Sequence, residues 1–221
     1  SYTRTRTERQ DFTASVPTFG SQGEQVRGEY IGSATTLDGV DLIWGFDYQK
    51  DVANSMGRNN QGAFVELLSD FSKAFFLTAG LRYDDNEDFG ANTSFRLSTA
   101  FLLETKAGTL KFKAALGSGF RAPSPFEIQY NRGPYAFPPA TSSPLVQEES
   151  RGWEVGAQLD AEKYHLEAII FDQSVSNAIV FDLAGYSGYL QDLGRGVSSG
   201  IELIADYRIT EALRASANYT Y

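Results

Sequence analysis

The sequence contains no cysteine and a single histidine, His165, among its 221 residues. Without thiols, a cysteine nucleophile or a cysteine-bound zinc site is excluded, and one imidazole cannot form a multi-histidine metal site. Any catalytic triad would depend on His165 alone. The sequence therefore predicts no enzymatic activity and no bound cofactor.

Long apolar runs and excess positive charge are also missing. No segment approaches the roughly 20 apolar residues that a membrane helix needs. Acidic side chains outnumber Lys and Arg by 28 to 19, which gives a net charge of -9. Because phosphate neutralisation requires a basic face, we expect no nucleic-acid partner. Residues 1–11 are polar and charged, so we expect a secreted form to carry its leader upstream of them.

Aromatic residues are abundant, with 16 Phe, 12 Tyr and 2 Trp, and apolar residues recur on every second position through most of the chain. The clearest example runs from Leu42 to Tyr48, where apolar even positions alternate with Gly45 and Asp47. A two-residue period predicts β-strands with one apolar and one polar face. We count about eleven such strands, which indicates an all-β, antiparallel fold.

The connections between these strands are predicted to differ in length. Longer polar or acidic loops are expected at 51–60 and 84–92, and the strand that begins at Tyr164 is expected to continue, with a kink, through Phe181. Short periplasmic turns and long external loops are typical of transmembrane β-barrels. Very short turns are expected near Asp38, Ser72, Lys106, Glu162 and Glu211.

Aromatic residues of the apolar face lie at two levels along the strands. Phe75 and Tyr83 are eight residues apart, a height of about 20 Å once the strand is tilted, which is close to an outer-membrane apolar band. The spacing favours a membrane barrel, although aromatics are common in any strand and a soluble secreted β-protein stays open. The lower level comprises Phe75, Tyr164 and Tyr207, and the upper level comprises Tyr48, Tyr83, Phe120 and Trp153.

The most specific pattern lies between Ala114 and Gly156. Glycines and prolines at 117–125 end a strand, since proline removes ladder donors, and alternation returns from Trp153 after a long loop. In this order, the two segments resemble the G-F-R-A-P-S and N-P-x-L-x-P-E-x-S-x-G-x-E-x-G segments in the barrel of TonB-dependent outer-membrane receptors. The residues assigned to the family motif are Phe120, Arg121, Ala122, Pro123, Ser124, Glu149, Ser150, Gly152, Glu154 and Gly156.

This resemblance covers nearly all of residues 1–221 and implies a barrel of 22 strands around an amino-terminal plug domain. Bacterial barrels close with an even number of strands, so we interpret the chain as a partial barrel, one part of a single barrel domain that lacks the plug and the final strands. The implied location is the outer membrane of a Gram-negative bacterium, in contact with lipid and lipopolysaccharide. The implied partner is the TonB complex, reached through the plug.

The implied function is active, TonB-dependent uptake of a scarce ligand, a small metal chelate such as a ferric siderophore or cobalamin. Haem receptors of this family would use loop histidines, so the scarcity of histidine argues against haem. Two alternatives stay open: a passive outer-membrane barrel or porin without a plug, and a soluble secreted β-protein.

Two groups of residues are candidate binding sites. The long loop carries Tyr130, Arg132, Tyr135 and Phe137, and rigid aromatic rings with one cation can hold a flat, partly anionic chelate, while self-packing of the loop is the alternative. Asp84, Asp85 and Asp88 supply the oxygen ligands that calcium takes, although a solvated acidic loop is the simpler interpretation. His165 is expected on the polar face near a short turn, as an ordinary polar residue.

Overall fold

A computed structural model describes residues 1–54 and 56–221, with the side chains of Thr18 and Phe19 outside the description. Strands dominate these residues, and one short helix interrupts them. The elements are β1 (Tyr2–Thr13), β2 (Val16–Leu37), β3 (Val40–Ala53), β4 (Met56–Phe71), β5 (Phe75–Asn86), β6 (Gly90–Thr105), β7 (Gly108–Arg121), α1 (Pro125–Arg132), β8 (Glu148–Asp160), β9 (Tyr164–Ser176), β10 (Ile179–Phe181), β11 (Tyr189–Gln191), β12 (Arg195–Thr210) and β13 (Leu213–Thr220).

The large strands form one antiparallel sheet of eleven strands, which confirms the predicted fold class and strand number. Neighbours in sequence are neighbours in the sheet, in the order β1 to β9, then β12 and β13. Strands β10 and β11 pair only with each other and stand outside the sheet. Because β1 and β13 lie at its two ends, the sheet is open, as a portion of a barrel wall would be.

The two faces of the sheet differ in chemistry, as the alternation predicts. On the apolar face, Phe112 of β7 pairs with Ala157 of β8, which pairs with Ala168 of β9. The opposite, polar face carries Asp47 and Arg82 among other charged residues. One face can therefore contact hydrocarbon while the other contacts water or protein.

No second layer covers the apolar face in the described part of the chain. Val155 and Ile170, in the middle of the wall, are 52% and 53% exposed. Apart from prolines, the buried aliphatic side chains among the described residues are Ala140 and Leu145, and both lie in the connection between β7 and β8. In a soluble β-sandwich, the apolar rows of this face would be buried against a second sheet. In the described ranges no helix is long and apolar enough to cross a membrane.

Five connections on one edge of the sheet are turns of two or three residues, as predicted, and we call this the lower edge. At the first of them, Gly39 has φ +73°, and a Cβ there would lie 2.5 Å from the carbonyl oxygen of Asp70. The opposite, upper edge carries the two long connections, 122–147 and 177–194.

Two predictions for the upper edge are wrong. The expected polar loop at 51–60 is mostly strand, because β3 continues to Ala53 and β4 begins at Met56; Ser55 lies outside the described residues. The expected acidic loop at 84–92 narrows to residues 87–89. The upper connections are therefore not all longer than the lower ones. Cross-strand pairing satisfies the backbone of these polar segments, so their low hydrophobicity does not stop the strands.

The strand that starts at Tyr164 also ends earlier than predicted. Strand β9 stops at Ser176, and Asn177 has φ +57°, a left-handed conformation that breaks a ladder and that asparagine tolerates. Ile179 to Phe181 then form β10 in the separate hairpin. The apolar residues of that segment therefore pack within the upper loops and not in the wall.

Candidate functional site

The site is built where β7 leaves the sheet. Ser124 caps helix α1: its Oγ accepts a hydrogen bond from the Glu127 backbone N–H at 3.2 Å, and its own N–H donates to Glu127 Oε2 at 2.6 Å. Pro125 occupies the first helical position, where a missing N–H has no cost. The Ser-Pro-Phe-Glu segment thus forms a capping box that starts a helix directly after a strand.

Arg121, the last residue of β7, links this helix to two other elements. Its guanidinium donates to both Glu148 oxygens, at 2.5 and 2.9 Å, and to both Glu127 oxygens, at 3.1 Å. Glu148 Oε1 also accepts the N–H of Ile179, at 2.6 Å. One forked cation therefore joins the wall, the helix and the second long connection, a geometry that guanidinium suits better than ammonium.

A second arginine, Arg58, contacts the same segment from the polar face of the sheet. Arg58, 8% exposed on the polar face of β4, donates to the carbonyl oxygen of the fully buried Pro123. Its guanidinium carbon also lies 5.9 Å from the centre of the Phe89 ring. Asn54 Nδ2 donates to Gln129 Oε1 at 2.9 Å. The helix is thereby fixed against the β3–β4 end of the sheet.

The two long connections pack together as one body, which we call the loop unit (residues 122–147 and 177–194). Asn131 Nδ2 donates to the carbonyl oxygens of Tyr189, at 2.7 Å, and Ala140, at 3.2 Å, while its Oδ1 accepts the Tyr189 N–H at 2.8 Å. A Cβ at Gly188, φ +137°, would lie 2.6 Å from Asn131 Oδ1. These contacts require an amide at 131 and glycine at 188.

An aromatic cluster fills the interior of the loop unit. The rings of Tyr130, Phe181 and Tyr189 have centroids 5.3 to 5.6 Å apart and meet edge to face. Phe126 and Tyr186 extend the cluster. Burial, with a smaller contribution from the charge of Glu127, raises the pKa of the Tyr189 hydroxyl. The cluster takes the place of a core in this part of the molecule.

The structure places the predicted chelate-binding residues in different surroundings. Tyr130 belongs to the aromatic cluster, as self-packing of the loop predicts, whereas Tyr135 and Phe137 are 75% and 49% exposed. Arg132, at the end of α1, lines a cavity of about 690 Å³ between α1, the start of β4, the β5–β6 turn and residues 140–145. The lining residues are Met56, Gly57, Asp88, Phe89, Ile128, Asn131, Arg132, Ala140, Thr141, Ser143, Pro144 and Leu145.

The three calcium candidates are also separated. Asp84 is buried on the polar face, where it accepts from Arg82 at 2.6 and 2.8 Å and from Asn60 at 3.1 Å. The next residue, Asp85, projects to the other face because strand positions alternate, and Asp88 lines the cavity. Within the described ranges, no group of three or more histidine or acidic side chains could hold a metal ion.

The second half of the family motif shapes the wall of β8. A Cβ at Gly152 would lie 3.2 Å from Gln173 Cβ, and one at Gly156 would lie 3.0 Å from the Ala168 carbonyl oxygen. Both positions therefore favour the smallest residue. Glu149 is exposed, and the carboxylate that contacts Arg121 belongs to its neighbour Glu148.

A network on the polar face was not anticipated from the sequence. Arg82 reaches Asp47, two strands away on β3, with Nη1 2.7 Å from Oδ2. The intervening position on β4 is Gly62, where a Cβ would collide with the Arg82 guanidinium and lie 2.9 Å from Asp47 Oδ2. Glycine at 62 thus leaves the space that the ion pair occupies.

His165 occupies the polar face beside a lower turn, as predicted. Its Nδ1 lies 2.6 Å from Asp160 Oδ1, and its Nε2 lies 3.6 Å from Glu167 Oε2. Glu167 also pairs with Lys113 of β7. The imidazole is therefore part of a group of polar contacts that joins β7, β8 and β9 near the lower edge.

Comparison with known proteins gives a match along the whole sequence. Residues 1–221 match the family model described as "TonB dependent receptor-like, beta-barrel". The chain is 28% identical over 125 residues to the vitamin B12 transporter BtuB of Photobacterium profundum, an alignment that covers 53% of this chain and 19% of the relative. It is 24% identical over 193 residues to an uncharacterized TonB-dependent receptor of Haemophilus influenzae, which covers 79% of this chain and 54% of the relative.

Solved structures share the fold. The ferric enterobactin receptor PfeA of Pseudomonas aeruginosa superposes with a TM-score of 0.77 at 17% identity, covering 100% of this chain and 40% of that chain. The copper transporter OprC gives a TM-score of 0.71 at 19% identity, covering 100% and 42%. This chain thus spans between about a fifth and about half of the length of these proteins.

Proposed function

We propose, from the premise that this chain belongs to the TonB-dependent receptor-like β-barrel family, that it is part of the wall of an active-transport receptor. Members of this family reside in the outer membrane of Gram-negative bacteria, and we place this protein there too. The uncovered apolar face of the sheet supports that location, because a contiguous apolar surface of this size needs lipid or protein to cover it.

The proposed activity is uptake of a scarce ligand that the loop unit helps to capture at the upper edge. The observation that carries this proposal is the loop unit itself, which Arg121 and Arg58 hold against the polar face. Together with the start of β4 and the β5–β6 turn, it lines a cavity large enough for a small ligand. Named relatives are transport receptors for vitamin B12, ferric enterobactin and copper. The proposal involves no covalent chemistry.

We propose that further strands complete the barrel and that a plug domain fills its lumen and contacts TonB. The open edges at β1 and β13 support this, because an unpaired strand edge in lipid leaves backbone groups unsatisfied at several kcal/mol each. The charged polar face is suited to a hydrated or protein-filled lumen. Reading the encoding gene on both sides of this chain for additional strands and a globular domain tests the arrangement.

Growth of a deletion strain tests the function. We expect loss of growth when one ferric chelate or corrinoid is the limiting nutrient, restoration by the intact gene, and the same loss when TonB is removed. A passive barrel would instead support uptake that does not depend on TonB. Normal growth of the deletion strain on every chelate and corrinoid supplied would contradict the proposal.

A further inference from the structure

The cavity beneath the loop unit has a charge balance that bears on what it can bind. Among its lining residues, the charged side chains are one cation, Arg132, and one carboxylate, Asp88. Both are exposed, and neither forms a direct ion pair with another described residue, while Asp88 has a longer-range attraction to Arg58. Their charges cancel within one cavity, so a ligand there meets no surplus of positive charge.

Arg58, which contacts the lining residue Phe89, cannot supply that surplus. Arg58 is buried, donates to the Pro123 carbonyl oxygen and interacts with three carboxylates, those of Asp51, Asp88 and Glu127. Arg121 is occupied by Glu127 and Glu148. Arg58 and Arg121 are thus already engaged with protein groups, and the chain as a whole carries a net charge of -9.

The remaining lining groups suit an uncharged polar ligand. Thr141 and Ser143 offer exposed hydroxyls, while Ile128, Phe89 and Leu145 contribute apolar surface. Hydroxyl groups both donate and accept hydrogen bonds, so they can bind the carbonyl and amide groups of a neutral molecule. A volume of about 690 Å³ falls within the range of ligand sites, about 300–1,000 Å³.

We infer that this cavity selects an electrically neutral, hydrogen-bonding metal chelate of the ferric trihydroxamate type and discriminates against polyanionic chelates of the ferric tris-catecholate type. This inference rests on the proposed function and narrows its ligand class. The Asp88 carboxylate would repel a trianionic chelate, and Arg132 is the lining cation that would offset this repulsion. Repulsion between like charges is stronger in a partly enclosed cavity than in bulk water, so one carboxylate there weakens the binding of an anion.

The test is a binding series with the purified full-length receptor, using Trp fluorescence and three probes: a neutral ferric trihydroxamate, a trianionic ferric tris-catecholate and neutral cyanocobalamin. We expect a neutral probe to bind at least about tenfold more tightly than the trianion. Tighter binding of the trianion, or failure of both neutral probes to bind, overturns the inference.

Two charge variants sharpen the result. Asp88→Asn should improve trianion binding by about tenfold and change binding of the neutral probe by less than about threefold. Arg132→Gln should weaken binding of the neutral probe by no more than about threefold, since glutamine still donates hydrogen bonds. The matched control is Arg151→Gln, which lies on the apolar face of β8 and outside the cavity. A loss of neutral binding of more than about thirtyfold in Arg132→Gln contradicts the inference.

Uptake experiments separate this inference from the proposed function. TonB-dependent import of the trianionic chelate, without import of a neutral one, leaves the proposed function standing and overturns the charge selection. Absence of TonB-dependent import for every chelate and corrinoid overturns the proposed function itself.

Discussion

Arg121 shows what the family motif does at the scale of a single residue. It follows a glycine-rich strand end and precedes the prolines, so its side chain stands where the wall stops and the loop unit begins. There it meets two carboxylates from different elements, Glu127 and Glu148. The motif therefore encodes a junction, and the residues that we propose to contact the ligand lie outside it.

Arg121→Gln should loosen this junction. Two carboxylates lose a charged donor; because the arginine side chain is 45% exposed, we expect a local cost of about 1–2 kcal/mol. Hydrogen exchange at the amides of α1 should accelerate by about tenfold, while exchange in β3 to β6 stays unchanged. Arg151→Gln, which loses no ion pair of the described residues, is the control. Equal protection of α1 in both variants would contradict this role.

In the wall, Gly62 is a residue of comparable importance, because it leaves the space that the Arg82–Asp47 ion pair occupies. Gly62→Ala places a methyl group against the Arg82 guanidinium and Asp47 Oδ2, so the ion pair must separate or tilt. Asp47 is buried but Arg82 is 32% exposed, and we expect a loss of about 1–3 kcal/mol.

The measurement is the temperature at which the folded full-length protein loses its heat-sensitive electrophoretic mobility. Gly28→Ala is a matched control, because a Cβ at Gly28 meets nothing within 4 Å. A melting temperature for Gly62→Ala equal to that of the control would show that the wall accommodates the methyl group without disturbing the network.

Elements of the upper edge depend on each other, and Asn131 is the link between helix α1 and strand β11. Asn131→Asp replaces an N–H donor by an oxygen that faces two carbonyl oxygens, those of Tyr189 and Ala140. We expect β10 and β11 to separate from α1, with amide exchange at residues 189–191 at least about tenfold faster. Ser142→Ala, in the same connection, should leave exchange unchanged.

The turn between β10 and β11 should be sensitive to acid. The Asp182 carboxylate accepts hydrogen bonds from the backbone N–H of Gly185 and from the hydroxyl and N–H of Ser187, and these bonds hold its pKa below the ordinary value of 3.8. Because the pKa is lower when the turn is formed, the carboxylate stabilises the turn above pH 3.8. That stabilisation is lost as the pH falls through the depressed pKa.

Amide exchange at residues 184–188, corrected for intrinsic rates, should therefore rise in the natural protein as the pH falls below 3.8. Asp182→Asn should show weaker protection at neutral pH and no further change on acidification. A pH-independent protection of the turn in the natural protein would contradict this assignment.

Among the secondary-structure elements, the sequence predicts the wall strands and the lower turns well and the upper edge less well. Alternation identifies most of the wall and the lower turns because most strands there have one apolar face, and Gly39 marks a tight turn. Residues 51–60 and 84–92 are mostly strand where the sequence predicts loops, because these polar strand ends lack the apolar row by which alternation identifies a strand. The Ser124-to-Glu127 capping box is readable from sequence, whereas the pairing of Asn131 with Tyr189 depends on contacts across 58 residues and is not.

At the scale of the whole molecule, the apolar face should tolerate charge poorly. Val155→Arg would place a cation in the middle of the proposed lipid contact, at a cost of about 2–4 kcal/mol. Folding of the full-length protein into lipid vesicles, followed by electrophoretic mobility, should show that loss. Ser98→Arg, on the polar face, should fold as the natural protein does. Equal effects of both substitutions would contradict the assignment of faces.

The length of β2 affects which part of the protein an antibody or a bacteriophage can contact from outside the cell. Its 22 residues extend about 73 Å, or about 55 Å once tilted, whereas the apolar band is about 25 Å tall. Its lower end is a tight turn, so about 30 Å of paired backbone must rise above the bilayer surface. An antibody or a bacteriophage fibre would therefore encounter a stiff, hydrogen-bonded epitope, and sera raised against denatured peptides of this segment should fail to label intact cells.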